Sequence, residues 1–569
     1  MTDTRPLTIT GSGLRRNGPG GRNRFLAAIL LSALVVPSAA HARVEPGATL
    51  SSYAQARAAA SAGALDRASA GYAAALAADP DNEVIAGQAL THAVTAGDWS
   101  LAMRAARVLE RRDSMLPDAR FLLVAEAFRG RDWRAAGRQI DAIEREQLFA
   151  FAVPALRAWL AYGSGRGDPL SFLSVNDSAS AAAGYSAEQR PLLLIAMRRP
   201  EGARLLLESP NQGPRTARLR IAGAATLAAR GDRAAALTLL QGDEAPIVVA
   251  RNLVEARQRV PGGVGNAGSG MAEVLVRLAL DMHAQELTAV AASFARIATW
   301  AAPENGQAWM IAAELYGQQE RQPTAVELLT NVRPGDPYAA AARDQRIRLL
   351  VQAGDDVRAL REAEAAAAAS GATIADLVGR GAVLLDQDRP AAAARAYARA
   401  HELRGADSAF PEWALWLFRG GAHDRAGEWT QARAALQEAY RLAPEQPLVL
   451  NYLGYAQLAR RENMVEAERL VREAHRLAPD NAAITDSLGW ALFLKGELPE
   501  AIQLLELAAE GEPADVENNE HLGDAYFTAG RRTEARYAWQ AALVYADDAD
   551  AVRLRAKIDT GLTPQLAAR

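Results

Sequence analysis

The 569-residue chain contains no cysteine, and its only lysines are Lys495 and Lys557. The missing cysteine removes disulfides, thiolate nucleophiles, cysteine-based zinc sites and a lipid-modified N-terminal cysteine. Arginine therefore carries nearly all of the positive charge. Aromatic residues are scarce at 6%, although 50% of the chain is apolar. Alanine makes up the difference, a composition that suits helices stacked at close range better than a sheet core. Charge of either sign is nearly cancelled, with 63 basic and 67 acidic residues giving a net −4. A chain so balanced carries no footprint for nucleic acid or an anionic membrane.

Chemistry is missing as well. The seven histidines (His41, His92, His283, His401, His423, His475, His521) form no His-Glu-x-x-His and no i, i+4 pair. Asp281 and His283 are two residues apart, so on a helix they point to different faces. There is no Gly-x-Ser-x-Gly elbow and no carboxylate cluster at metal-ligand spacing. The sequence calls for no cofactor and no metal, and it reads as non-enzymatic. The competing reading is an enzyme hidden between residues 144 and 260.

The N-terminus has the pattern of an export signal. Arg5, Arg15, Arg16, Arg22 and Arg24 face a single acid, Asp3, before an apolar run over residues 25–36 and a small-residue end at Ala40-His41-Ala42. Such a run is short of the roughly 20 residues that span a bilayer, so residues 1–42 are expected to be a signal peptide cleaved after Ala42. No later stretch is long and apolar enough to cross a membrane.

The most organised part lies near the C-terminus. NYLGYAQLA occupies 451–459, DSLGWALFLKGELPEAIQLLELAAEGEP occupies 486–513 and HLGDAYFTAGRRTEARYAWQAAL occupies 521–543. Leu453-Gly454, Leu488-Gly489 and Leu522-Gly523 recur at a period of about 34 residues. In the last two units the Leu-Gly pair is followed by Gly496 and Gly530, then Ala501 and Ala535, then Ala508 and Ala542. This pattern resembles the tetratricopeptide repeat. The resemblance implies an all-α, right-handed superhelical solenoid of helix pairs. The first Gly and first Ala of each unit would let the two helices approach closely, the second Gly would make the turn between them, and a following Pro would stop the second helix.

Read along the chain, the pattern divides it into segments. Residues 43–142 hold weaker repeats, with Gly63, Ala68, Tyr72, Ala75 and Pro80 in the slots and Gly97 and Ala102 one period on. Residues 143–260 read as degenerate helical repeats. Residues 261–270 (PGGVGNAGSG) read as a flexible glycine-rich hinge, since a phosphate-binding loop would need a following Lys that is absent. Residues 271–548 read as about eight clean units starting near Ala272, Gly306, Ala340, Ile374, Trp413, Pro447, Ala482 and Val516. Residues 549–569 read as a capping helix and tail.

In tetratricopeptide repeats, certain positions of the first helix tend to face an inner groove. At or next to those positions stand Asn451, Tyr455, Asp486, Trp490, Glu520, His521 and Asp524. Carboxylates interleaved with aromatics suit a peptide groove that selects cationic or donor groups, and these seven residues are the expected partner site. The ordered set NYLGY, DSLGW and HLGDAY further resembles exported proteobacterial repeat proteins. Some of these are outer-membrane adaptors that bind a processing protease and present cell-wall hydrolases to it. The resemblance thus implies a periplasmic protein-binding adaptor or scaffold, peripheral to the outer membrane, with a protease, wall hydrolase or envelope-assembly component as partner. A scaffold for polysaccharide export is the alternative.

Overall fold

A computed structural model of the chain describes residues 46–174, 180–208, 214–405, 408 and 410–566. The N-terminal segment with its cleavage point after Ala42 lies outside them. Among the described residues the protein is all-α, with 29 α-helices, two short 3-10 turns and no strand. They divide into two compact units, with the boundary in the chain between Ala353 and Gly354.

The C-terminal unit consists of helix pairs in register: Ile374–Asp386 with Pro390–Leu403, Glu412–Arg425 with Trp429–Leu442, Pro447–Ala459 with Met464–Leu477, Ala482–Lys495 with Leu498–Gly511, and Val516–Thr528 with Arg532–Tyr545. Asp356–Ala368 precedes them and Asp548–Thr560 closes the series. The steric reasons anticipated for the repeat are visible. An added Cβ at Gly489 would lie 2.8 Å from Leu505, and one at Gly523 only 2.4 Å from Trp539. Ala501, Ala508, Ala535 and Ala542 are fully buried opposite these glycines. Gly496 ends the Ala482–Lys495 helix at φ +87, a left-handed turn that glycine enters without strain. Where the unit is one residue longer, Arg461 and Asn463 take positive φ of 55 and 47 instead.

The N-terminal unit opens with three such pairs, Pro46–Ser61 with Leu65–Ala78, Glu83–Ala96 with Trp99–Arg111, and Pro117–Gly130 with Trp133–Glu146. Beyond them the described chain stays helical through Val153–Ser164, Ala181–Ala196, Glu201–Leu207, Pro214–Ala229, Arg233–Leu239 and Ala245–Glu255. Two of the second helices, Glu201–Leu207 and Arg233–Leu239, have only seven residues. Shortened partners break the 34-residue count, which is why no register can be held there from sequence. These helices belong to the same compact unit as their neighbours.

The expected hinge at 261–270 is corrected by the structure. Val264 and Ala267 are buried, and the Val264 N–H donates to Thr226 Oγ1 at 2.7 Å. The helix Ala267–His283 begins inside the segment, closed by a capping box between Asn266 and Ser269. Gly270 rests on the Trp159 ring, with a Cβ position only 2.1 Å away. The glycines here allow close approach rather than freedom of motion. Their helix packs back across Val153–Ser164, Ala181–Ala196 and Pro117–Gly130, and the following Thr288–Ala301 packs on Pro117–Gly130 and Glu83–Ala96.

Gly270→Ala is accordingly expected to destabilise the protein by about 1–3 kcal/mol through overpacking. Gly265→Ala, with nothing within 4 Å of its Cβ position, should leave the denaturation midpoint unchanged. Equal midpoints for both variants in urea would show that the segment is loose.

Candidate functional site

The first helices of successive C-terminal pairs touch one another as well as their own partners, Glu412–Arg425 with Pro447–Ala459, that helix with Ala482–Lys495, and the latter with Val516–Thr528. First helices therefore line the inner side of this unit. The seven residues expected to form a groove all lie on them, but at different depths. Asn451 and Tyr455 are half-buried. Asp486, Trp490, Glu520, His521 and Asp524 are at most 3% exposed. These five are corrected from an open groove wall to the contacts between adjacent first helices and between the last of them and the closing helix.

Their burial is made tolerable by partners one repeat away. His521 Nδ1 meets Asp486 Oδ2 at 2.8 Å. Trp490 stacks on the His521 ring, with centroids 4.0 Å apart and planes at 11°, and Phe493 stacks on Trp490 at 4.7 Å. Burial alone would discharge His521. The Asp486 carboxylate, with Glu517 and Asp524 behind it, overrides burial and pushes its pKa up to about 9. The imidazole is then a cation at neutral pH, with Nδ1–H donating to Asp486.

The closing helix Asp548–Thr560 supplies the other cations. Arg553 grips Glu520 in a fork, Nε to Oε1 at 2.8 Å and Nη2 to Oε2 at 2.6 Å. Lys557 is fully buried, and its Nζ contacts Glu520 at 2.6 Å and Asp524 at 2.7 and 2.8 Å. Trp539 Nε1 donates to Asp524 at 3.0 Å. Burial works against the Glu520 charge, but Arg553 and Lys557 hold its carboxyl below the ordinary range. Sequence reasoning missed Arg553 and Lys557. The available signal was Lys557 itself, one of only two lysines in an arginine-rich chain, standing one repeat after Asp524.

What remains accessible is the rim. Tyr455 O–H donates to Glu517, an exposed carboxylate also absent from the expected set. Burial and then Glu517 push the Tyr455 phenol well above its ordinary pKa. Along the same helices five buried polar atoms have no hydrogen-bond partner: Trp416 Nε1, Asn451 Oδ1, Gln457 Oε1, Asp486 Oδ1 and His521 Nε2. Four of them, at 416, 451, 486 and 521, are spaced by 35 residues, the separation of the Asp486–His521 pair. Among the described residues no group of three or more His, Asp or Glu is placed to hold a metal.

No protein-family profile matches the sequence, and no curated protein does. Among solved structures the chain is similar to the Cut9–Hcn1 hetero-tetramer of the APC/C, at 14% identity over 90% of this chain and 96% of that one, with a TM-score of 0.36. It is similar to yeast Tom70 at 13% identity over 90% and 95% of the two chains, with a TM-score of 0.35. It is also similar to TTC0263, a thermophilic TPR protein of Thermus thermophilus, at 22% identity over 33% of this chain and 98% of that one, with a TM-score of 0.29. Likenesses this loose carry no inference about partner or activity.

Two outcomes test the buried network. Lys557→Ala leaves Glu520 and Asp524 short of a counter-charge and is expected to cost about 3–5 kcal/mol, read from chemical denaturation; a loss under about 0.5 kcal/mol would mean the closing helix is not docked this way. The pH dependence follows from His521, which faces Asp486, Glu517, Asp524 and the Tyr455 phenol. Its folded pKa is raised, so its stabilisation is complete below its unfolded value near 6.5 and is lost as pH rises through about 9. The melting temperature should fall from pH 7 to pH 10 more steeply for the native chain than for His521→Gln. Parallel curves would contradict a charged His521.

Proposed function

We propose that the protein is a non-enzymatic protein-binding scaffold that takes an extended segment of a partner along the first helices of its C-terminal unit. The accessible rim on these helices, Asn451 and Tyr455 with Glu517 two repeats on, carries this reading. Packed helices stand about 8–10 Å apart, and an extended chain advances about 3.3 Å per residue, so about every third residue of a bound segment meets the next first helix. Asn451 and Tyr455 are half-buried and Glu517 is exposed. The acid at that rim favours segments bearing Lys or Arg. The five buried residues hold the surface in shape and are not themselves contacts.

On this reading the protein works in the periplasm, as an adaptor for a processing protease and a cell-wall hydrolase. Support for this comes from the signal-peptide pattern over residues 1–42 and from the resemblance of the 451–543 motifs to exported repeat proteins. No described helix is long and apolar enough to cross a membrane.

The test is crosslinking capture from periplasm with residues 43–569, beside the double variant Asn451→Ala, Glu517→Gln. A protease or wall hydrolase is expected with the native chain and should fall at least fivefold with the variant, at unchanged melting temperature. Capture of polysaccharide-export components would transfer the scaffold to that system. Equal capture by both chains would remove the rim from the binding surface.

A further inference from the structure

A second polar centre lies in the N-terminal unit, where Arg296 on Thr288–Ala301 is 7% exposed. Its guanidinium carbon stands 5.2 Å from the centroids of both Trp99 and Trp309. Trp99 stacks on Trp300 with centroids 4.9 Å apart, and Arg129, itself exposed, lies over Trp300 at 3.9 Å. The group has room because position 97 is glycine, at φ +79; a Cβ there would come within 2.2 Å of Arg296 Nη2. Two cations and three indoles are thus joined by contact, without an acid.

The other buried arginines are better matched: Arg220 donates to the Leu239 and Gln241 carbonyls, and two have acids. Arg218, equally buried, meets Glu188 at 2.5 Å and also pairs with Glu273. Arg120 meets Glu146 at 2.6 Å. Arg296 has only the Thr299 hydroxyl, which accepts from Nη1 at 2.9 Å. The nearby acids are engaged elsewhere. Asp98 accepts from the Leu101 N–H at 3.0 Å and from Ser69 at 2.9 Å, Asp118 accepts from Ser293 at 2.6 Å, and Glu304 pairs with Arg259 at 3.1 Å. Burial pulls the Arg296 pKa below its ordinary value, with only Tyr316 opposing it.

The unsatisfied atoms are of one kind. Arg296 Nε and Trp300 Nε1 are both buried without a hydrogen-bond partner, and both are donors. They belong to residues i and i+4 of one helix, hence to one face. Buried donors beside an unpaired guanidinium call for an acceptor that carries negative charge.

We propose that this centre is an anion site for a planar carboxylate attached to an aromatic or apolar group. The fork of a guanidinium matches two carboxylate oxygens in one plane, and the edges of the half-buried Trp99 and Trp300 receive the attached group. Arg129 stands at the mouth and draws the anion in. The site lies in the N-terminal unit and does not depend on partner binding along the C-terminal first helices.

Isothermal titration of the full chain with benzoate and with N-acetyl-phenylalanine, each beside its uncharged amide, tests the proposal. Each carboxylate is expected to bind at least tenfold more tightly than its amide. Arg296→Gln should lose at least tenfold in carboxylate affinity, and Trp300→Phe, which keeps a ring and removes only the indole donor, at least threefold. Tighter binding of N-acetyl-phenylalanine would assign the site to a chain terminus, and tighter binding of benzoate to a free small acid. Equal affinities for acid and amide, or no heat from either at millimolar concentration, would overturn the site. Native affinity in Trp300→Phe would overturn it too, whether or not Arg296→Gln folds.

Discussion

Everything in this protein depends on how closely two alanine-rich helices can approach. A single pair of helices cannot bury its apolar stripe, and stability in such an array comes from each pair and its nearest neighbours. With so few aromatic residues, the contacts must be short to be numerous. Glycine at 489 and 523 and alanine at 501, 508, 535 and 542 supply that shortness, and the large side chains Leu505 and Trp539 fill the gap left by the missing Cβ atoms. The same device recurs off the repeat register at Gly270, which admits Trp159.

This explains which parts of the structure were legible in the sequence. The start points Ile374, Pro447, Ala482 and Val516 coincide with observed helix starts, because the small-residue slots are steric requirements that each unit must meet by itself. The segment 143–260 kept its helices but not its count, since a seven-residue second helix satisfies packing without preserving the period. At 261–270 composition misled, because glycine serves both flexible joints and tight contacts, and the difference lies in Trp159, far earlier in the chain.

The site was legible in position and not in depth. Asp486, Glu520 and Asp524 were rightly placed on first helices, yet a carboxylate reads as exposed until its partner is known. The partners His521, Arg553 and Lys557 lie 33 to 35 residues further on, the first on the next first helix and the other two on the closing helix. Residue type alone cannot show whether that next helix presents a cation at the right height. Arg296 illustrates the reverse case, a buried cation with no ion pair, whose acceptor is the Thr299 hydroxyl three residues on.

Buried ion pairs are poor sources of stability compared with apolar groups of the same size, so their concentration at the end of an alanine-rich array calls for another explanation. Alanine contacts are interchangeable: a helix displaced by one turn meets nearly the same surface. Lys557 reaches both Glu520 and Asp524, themselves four residues apart on one helix face, only when the closing helix sits at a single height, and Arg553 fixes the same height through Glu520 one turn earlier. A displaced helix would leave those carboxylates buried without a counter-charge. The network therefore sets the register of a contact that packing alone leaves undetermined.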